Sequence, residues 1–179
     1  MKVIIDIIII LLVISVVVII AYVFYMATKR KQYPQVTFAR FSDEKNNVKE
    51  IEHLANKAIR GVNGWMWLAT VFMALYYFLN FWTIVFMMIN LVIVVYEVDG
   101  NRNYTIFFIL GSLLFSFLDL WLNSKEKSTK FHDHWFNTSI IAKEYIVNFS
   151  KASTFEELCN LVIEFNKLIY EENKKIQIL

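Results

Sequence analysis

Residues 64–122 read GWMWLATVFMALYYFLNFWTIVFMMINLVIVVYEVDGNRNYTIFFILGSLLFSFLDLWL, and the reading of this stretch decides the fold. It is almost wholly apolar, with one charged interruption at Glu97-Val-Asp-Gly-Asn-Arg-Asn103. A helix closes its own backbone hydrogen bonds, as an apolar medium demands. The stretch therefore reads as a membrane hairpin: one helix in, a turn, one helix back.

The first arm is overlong. Residues 64–96 hold 33 positions without a charge, about 50 Å of helix at ~1.5 Å per residue. The hydrocarbon layer is only ~30 Å thick. Two spans with a tight turn near Leu79–Trp82 would put Glu97–Asn103 in the cytoplasm and the lysine-bearing C-terminal segment outside. One span puts Glu97–Asn103 outside and Lys125, Lys127 and Lys130 in the cytoplasm, as the positive-inside rule favours. The surplus, from about Phe81 to Tyr96, then continues as a tilted or protruding helix or lies in the outer interface. Tyr76, Tyr77, Trp82, Tyr96 and Tyr104 suit an aromatic belt. A β-hairpin pairing residues 92–97 with 102–108 is the alternative local reading.

The second arm, Tyr104–Leu122, is 19 residues long. Gly111, Ser112 and Ser116 give it a small-residue face for close helix contact. Asn80, Asn90 and Asp119 are the polar intruders of the hairpin, and such groups in a span are functional candidates. Asp119 stands one turn from the cytoplasmic end with Lys125 nearby. It reads either as a solvated or lysine-paired structural group or as part of a pore lining or oligomer contact.

Outward from the hairpin, Ile7–Met26 is a further run of 20 uncharged residues. A secretory signal has a shorter apolar core, of roughly 7–15 residues, so the run reads as a span. Lys29-Arg-Lys31 behind it is a stop-transfer signal. Residues 27–63 carry eight Lys and Arg against four Asp and Glu, which makes this segment cytoplasmic and the N-terminus external. Pro34 ends any continuation of the first helix. Ser42-Asp-Glu-Lys45 reads as a helix start, with Ser42 as N-cap. Val48, Ile51, Ala55, Ala58 and Val62 then form one apolar face. That face needs either a helix partner or the bilayer surface, and the matching C-terminal faces favour the helix.

From the second arm the chain reads as one unbroken helix, since residues 123–150 contain neither Gly nor Pro. Phe131, Trp135, Thr138, Ala142, Tyr145 and Phe149 follow three–four spacing. Lys151-Ala-Ser-Thr154 is the predicted turn, and Ser153-Thr-Phe-Glu156 a capping box. Phe155, Leu158, Val162, Phe165 and Ile169 face back, so the two helices form an αα-hairpin with the helix of residues 42–62 as third member.

Composition supports the same class. The chain is 58% hydrophobic, above the usual soluble range, with the excess in three blocks. Four Gly and one Pro argue for few, long helices. A net charge of +2 gives no electrostatic case for nucleic acid. One cysteine, Cys159, excludes an intrachain disulfide. No phosphate loop, nucleophile motif or converging acid–base set is present, so neither enzyme activity nor a cofactor is expected. His132-Asp-His134 is the only metal-like spot, but positions two apart diverge on a helix. Both histidines are expected on the solvated part of a membrane-proximal helix.

The run Leu118-Asp-Leu-Trp-Leu-Asn-Ser-Lys-Glu-Lys-Ser-Thr-Lys-Phe-His132, followed by an amphipathic helix and Leu168-Ile-Tyr-Glu-Glu-Asn173, resembles the SLATT family. These are two-transmembrane effector domains associated with bacterial nucleotide-second-messenger defence systems. The resemblance covers about residues 42–173; the span at 3–26 is additional to the family pattern. It implies a homo-oligomeric effector of the bacterial inner membrane that forms a pore or depolarises the membrane when a sensor or nucleotide-signalling partner reports infection. Gly111, Ser112 and Ser116 would then be packing positions, and Asn80, Asn90 and Asp119 the polar pore candidates. The competing readings are a non-pore membrane interaction or immunity protein, phage-encoded among the options, and a small channel or transporter subunit. The expected architecture is an all-α integral membrane protein. It has an N-terminal span (1–28), a linker and amphipathic helix (29–63), a membrane hairpin (64–123) and a cytosolic αα-hairpin (124–179). The cytosolic helices form a bundle.

Overall fold

The computed structural model describes residues 2–29, 32–95 and 102–177. Among them every regular element is helical: α1 (Lys2–Lys29), a 3-10 turn (Ala39–Glu44), α2 (Lys45–Val95), α3 (Arg102–Leu122), α4 (Ser124–Lys151) and α5 (Phe155–Gln177). Three stretches, Ile7–Met26, Asn47–Val94 and Tyr104–Lys151, are long and apolar enough to cross a membrane. The chain divides into two compact units. The first takes residues 1–26 and 70–128, the second 27–69 and 129–179.

The overlong arm is one helix through to Val95. Residues 92–95 and 102–108 are helical, which rules out strand pairing there. The predicted outer turn falls mainly on residues 96–101, outside the described residues.

In the first unit, α1 is apolar on all sides, with no stripe to orient it. Its inward contacts come from Ile8 and Leu12, which pack with Trp82, Phe86 and Phe108. Phe86 is the hub: its ring stacks on Phe115 at 5.5 Å and meets Phe108 at 5.7 Å and Trp82 at 5.9 Å. Such offset and tilted ring pairs are worth about 0.5–1.5 kcal/mol beyond area burial. The surrounding side chains are large, apolar and exposed, among them Ile10, Val17, Phe24, Leu91, Leu110, Phe117 and Leu120.

The second unit is built the other way round. Ala55, Ile59 and Val62 of α2, Ala142 of α4, and Leu158, Val162 and Phe165 of α5 have no exposed surface. Alanines at two of these positions let the helix backbones approach. Phe165 stacks on Tyr145 at 5.5 Å and meets Phe149 edge-on at 5.7 Å. The helix of the predicted third member therefore packs on the αα-hairpin through the face that its spacing defined.

Three expectations need correction. The helix leaving the second arm is broken: Asn123 takes φ 46°, a left-handed conformation, between α3 and α4. Asn tolerates this region better than most residues, so neither Gly nor Pro was needed for the break. The third member starts at Lys45, because Ser42 lies inside the 3-10 turn. The cap of α5 is shifted by one residue. Thr154 Oγ1 accepts from the Glu157 N–H at 3.1 Å, and Glu157 reaches back to the Ser153 N–H at 2.7 Å. Thr154 and Glu157, not Ser153 and Glu156, are thus three apart across the first turn.

Candidate functional site

The predicted polar positions do not form one site. Two of them meet: Asn80 Nδ2 donates to Asp119 Oδ2 at 3.1 Å, linking α2 to α3. The same amide also donates to the Tyr76 carbonyl at 2.9 Å. The other carboxylate oxygen of Asp119 accepts from Ser124 Oγ.

The break at Asn123 makes this possible. In a straight helix, residues five apart point to different sides. The left-handed residue swings Ser124 back toward Asp119, and the Asn123 N–H closes on the Asp119 carbonyl at 2.8 Å. Asn123 then starts the next helix, accepting from the Lys127 N–H at 3.0 Å. Its amide also donates to Glu126, three residues on. Ser124 and Ser128, one turn apart, are both buried. Lys125 Nζ lies over the Tyr76 ring at 5.8 Å and Lys127 Nζ over Phe72 at 5.5 Å. Asp119 is therefore held by neutral donors, in a knot that joins α2, the end of α3 and the start of α4.

The remaining candidates stand elsewhere. The Phe86 ring packs against Gly111, where a Cβ would lie 3.4 Å from three of its atoms, at ordinary van der Waals distance. Ser112 is buried, with its hydroxyl donating to the Ile109 carbonyl at 2.9 Å. Ser116 is exposed. The carbonyl oxygen of the Asn90 side chain is buried and accepts no hydrogen bond among the described residues.

Two polar contacts escaped the sequence reading. Ser15 Oγ accepts from Trp82 Nε1 at 2.9 Å and donates to the Leu12 carbonyl at 2.7 Å, pinning α1 to α2. The signal was a lone serine in an Ile/Val run and a mid-arm tryptophan whose N–H needs a partner when buried. Beside this contact an apolar cleft of about 550 Å³ runs between the two helices, lined by Leu11, Ile14, Val18, Ala74 and Phe81 among others.

The second is in the other unit. Asn173 Oδ1 lies 3.0 Å from Trp65 Nε1 and 2.9 Å from His134 Nε2. The indole is donor only, so the amide must present its oxygen here. His134 Nε2 consequently carries a proton and donates as well. His134 is 5% exposed, edge-on to Trp65 at 4.8 Å, which corrects its placement on a solvated face. His132 is the exposed one, 3.6 Å from Asp133. Among the described residues no group of three or more His, Cys, Asp or Glu stands ready to hold a metal ion.

Two side chains of this unit titrate unusually. Burial, together with a hydrogen bond to Glu164, pushes the Tyr145 hydroxyl up to about 12. Bonds from the Ser153 backbone and hydroxyl, and the Arg40 charge, hold the Glu157 carboxyl below its usual range.

Comparison of the chain with protein-family models, curated proteins and solved structures gives no match.

Proposed function

We propose that this chain is an integral membrane effector of the bacterial inner membrane, homo-oligomeric, which depolarises the membrane as part of an antiphage-type defence. In this reading α1, α2 and α3 are the three spans, with the N-terminus outside and the second unit in the cytoplasm. There a sensor or nucleotide-signalling partner reaches it. Neither nucleic acid nor a cofactor enters the mechanism, and no enzymatic step is invoked. The observation that carries the proposal is the Asn80–Asp119–Ser124 knot, a carboxylate bonded between otherwise apolar helices. A charge in such a setting is costly, and here it sits on a broken helix, the kind of joint at which spans rearrange. The SLATT-like run at residues 118–132 includes this joint.

A second reading is favoured by the same atoms. Both oxygens of Asp119 are engaged within the chain, and Gly111 faces Phe86. These groups then only hold the fold, and the chain is a non-pore membrane interaction or immunity protein.

Induced expression in cells loaded with a membrane-potential dye separates the two. The effector reading expects depolarisation, lost in Asp119→Leu while protein level and membrane fractionation stay at wild type. Polarised cells at full expression, including under phage challenge, would sink it in favour of the second reading.

A further inference from the structure

Residues 32–38, between α1 and the 3-10 turn, have no regular secondary structure, yet their backbone is bonded with high order. Asn63 takes Tyr33 by both main-chain groups: the Tyr33 N–H donates to Asn63 Oδ1 at 3.0 Å, and Asn63 Nδ2 donates to the Tyr33 carbonyl at 3.1 Å. Asn56 takes Val36 in the same way, at 2.8 and 2.9 Å. The Phe38 N–H donates to Glu52 Oε1. Each asparagine thus offers an extended chain the donor–acceptor pair that a neighbouring β-strand would offer.

The spacing makes this repeatable. Asn63 and Asn56 are seven apart on α2, about 10.5 Å of helix. Tyr33 and Val36 are three apart, about 10 Å of extended chain. Asn56 to Glu52 advances about 6 Å, and Val36 to Phe38 about 6.6 Å. The strap therefore runs antiparallel to α2 in step with one helix face. Its free positions suit this register. Pro34 has no N–H to satisfy, and Pro34, Gln35 and Thr37 are exposed.

Side chains anchor both ends. Tyr33 donates its hydroxyl to the Ser139 carbonyl at 2.9 Å. Phe38 is 4% exposed and meets Phe149 edge-on at 5.8 Å. The Arg40 guanidinium donates to the Ser150 carbonyl at 2.7 Å and to the Phe149 carbonyl, closing the C-terminal end of α4. The Phe41 N–H donates to the Phe38 carbonyl, closing the strap into the 3-10 turn.

We infer that the face of α2 bearing Glu52, Asn56 and Asn63, with the end of α4, is a docking groove for an extended peptide, and that Gln32–Arg40 is its resident, separately releasable occupant. The groove reads main-chain atoms at three points, and admits an aromatic side chain at each end followed by an arginine. Release opens the groove and the last carbonyls of α4 while leaving the contacts among α2, α4 and α5 in place. Nothing in this depends on whether the spans conduct.

The test uses the full-length protein in detergent. By hydrogen exchange on the wild type, the amides of Tyr33, Val36 and Phe38 should exchange at least tenfold faster than those of Leu158, Val162 and Phe165. Tyr33→Ser/Phe38→Ser weakens the resident strap and should let a labelled QYPQVTFAR peptide bind at least tenfold more tightly than it binds the wild type. Adding Asn56→Ala and Asn63→Ala should remove that binding. Strap amides that exchange only at the rate of the α5 core would overturn the inference. So would failure of the peptide to bind a strap-weakened variant that keeps wild-type helicity and elutes as one species. Where that variant does not fold, the wild-type exchange rates decide.

Discussion

The two units are assembled partly from the same helices, α2 and α4, yet they place apolar side chains in opposite directions. In the second unit Ile59, Val62, Leu158, Val162 and Phe165 are fully enclosed, while Lys49, Glu50, Lys57, Arg60 and Glu164 face outward. In the first, Leu113, Phe117 and Leu120 of α3 are 58%, 62% and 80% exposed, while an aromatic cluster and a few hydroxyls and amides face inward. The second unit is what burial from water produces. The first has no such driving force between its helices if its surroundings are themselves hydrocarbon. Ring packing, the contact of Phe86 with Gly111 and buried hydrogen bonds are then left to hold it together. An apolar surface of this extent in water would mark an association or aggregation site.

The sharpest way to break this contrast is a matched pair of phenylalanine truncations. Phe165→Ala in the second unit should cost about 3–5 kcal/mol, as for other buried phenylalanines. Phe117→Ala in the first should stay within about 0.5 kcal/mol. Thermal melting of the purified protein in detergent measures both. A large loss at Phe117 would mean that another chain covers it.

Next in size is a matched pair of lysines. Leu113→Lys should disfavour insertion by about 2.5–3.5 kcal/mol and shift protein out of the carbonate-resistant membrane fraction. Phe136→Lys, at a side chain 53% exposed in the second unit, should leave fractionation unchanged.

Polar knots supply a smaller pair. Asn173→Leu strands the Trp65 and His134 donors, and Asp119→Leu strands Ser124 Oγ and removes one of the two acceptors of Asn80 Nδ2. Each buried donor left unbonded costs about 1–3 kcal/mol. Melting of the two variants should show losses of similar size. A much smaller loss for Asp119→Leu would show that water or lipid headgroups reach its partners.

The smallest effect is at the α5 cap. The Glu157 carboxyl titrates below its usual range when folded, so its contribution is present above the unfolded-state pKa and fades as pH falls through the folded value. The melting difference between wild type and Glu157→Gln should therefore be visible at neutral pH and shrink in acid. A difference that widens in acid would contradict the cap geometry.

Much of the second unit was legible because its helices gather their apolar side chains on one face. The three–four spacing of Ala55, Ala58, Val62 and of Leu158, Val162, Phe165 encodes which face is buried, and the structure buries those residues. Helix ends were read less well. Asn123 breaks a helix by adopting a left-handed conformation that many asparagines never take, and Thr154 outcompetes its neighbour Ser153 for the cap. In the first unit, α1 has no periodicity to read. The pairing of Ser15 with Trp82 lies 67 positions apart in the chain.

The sequence by itself determined the helical class, the three apolar stretches and the inward faces of the second unit. These follow from local quantities: uncharged length, charge distribution and period. Tertiary structure decided which polar groups meet. It joined Asn80 to Asp119 and Ser124, gathered Trp65, His134 and Asn173, and laid the backbone of Tyr33–Phe38 against Asn63, Asn56 and Glu52. The physical reason is that a polar side chain is satisfied by whichever donor or acceptor folding brings within about 3 Å. That choice is made across the chain and leaves no period along it.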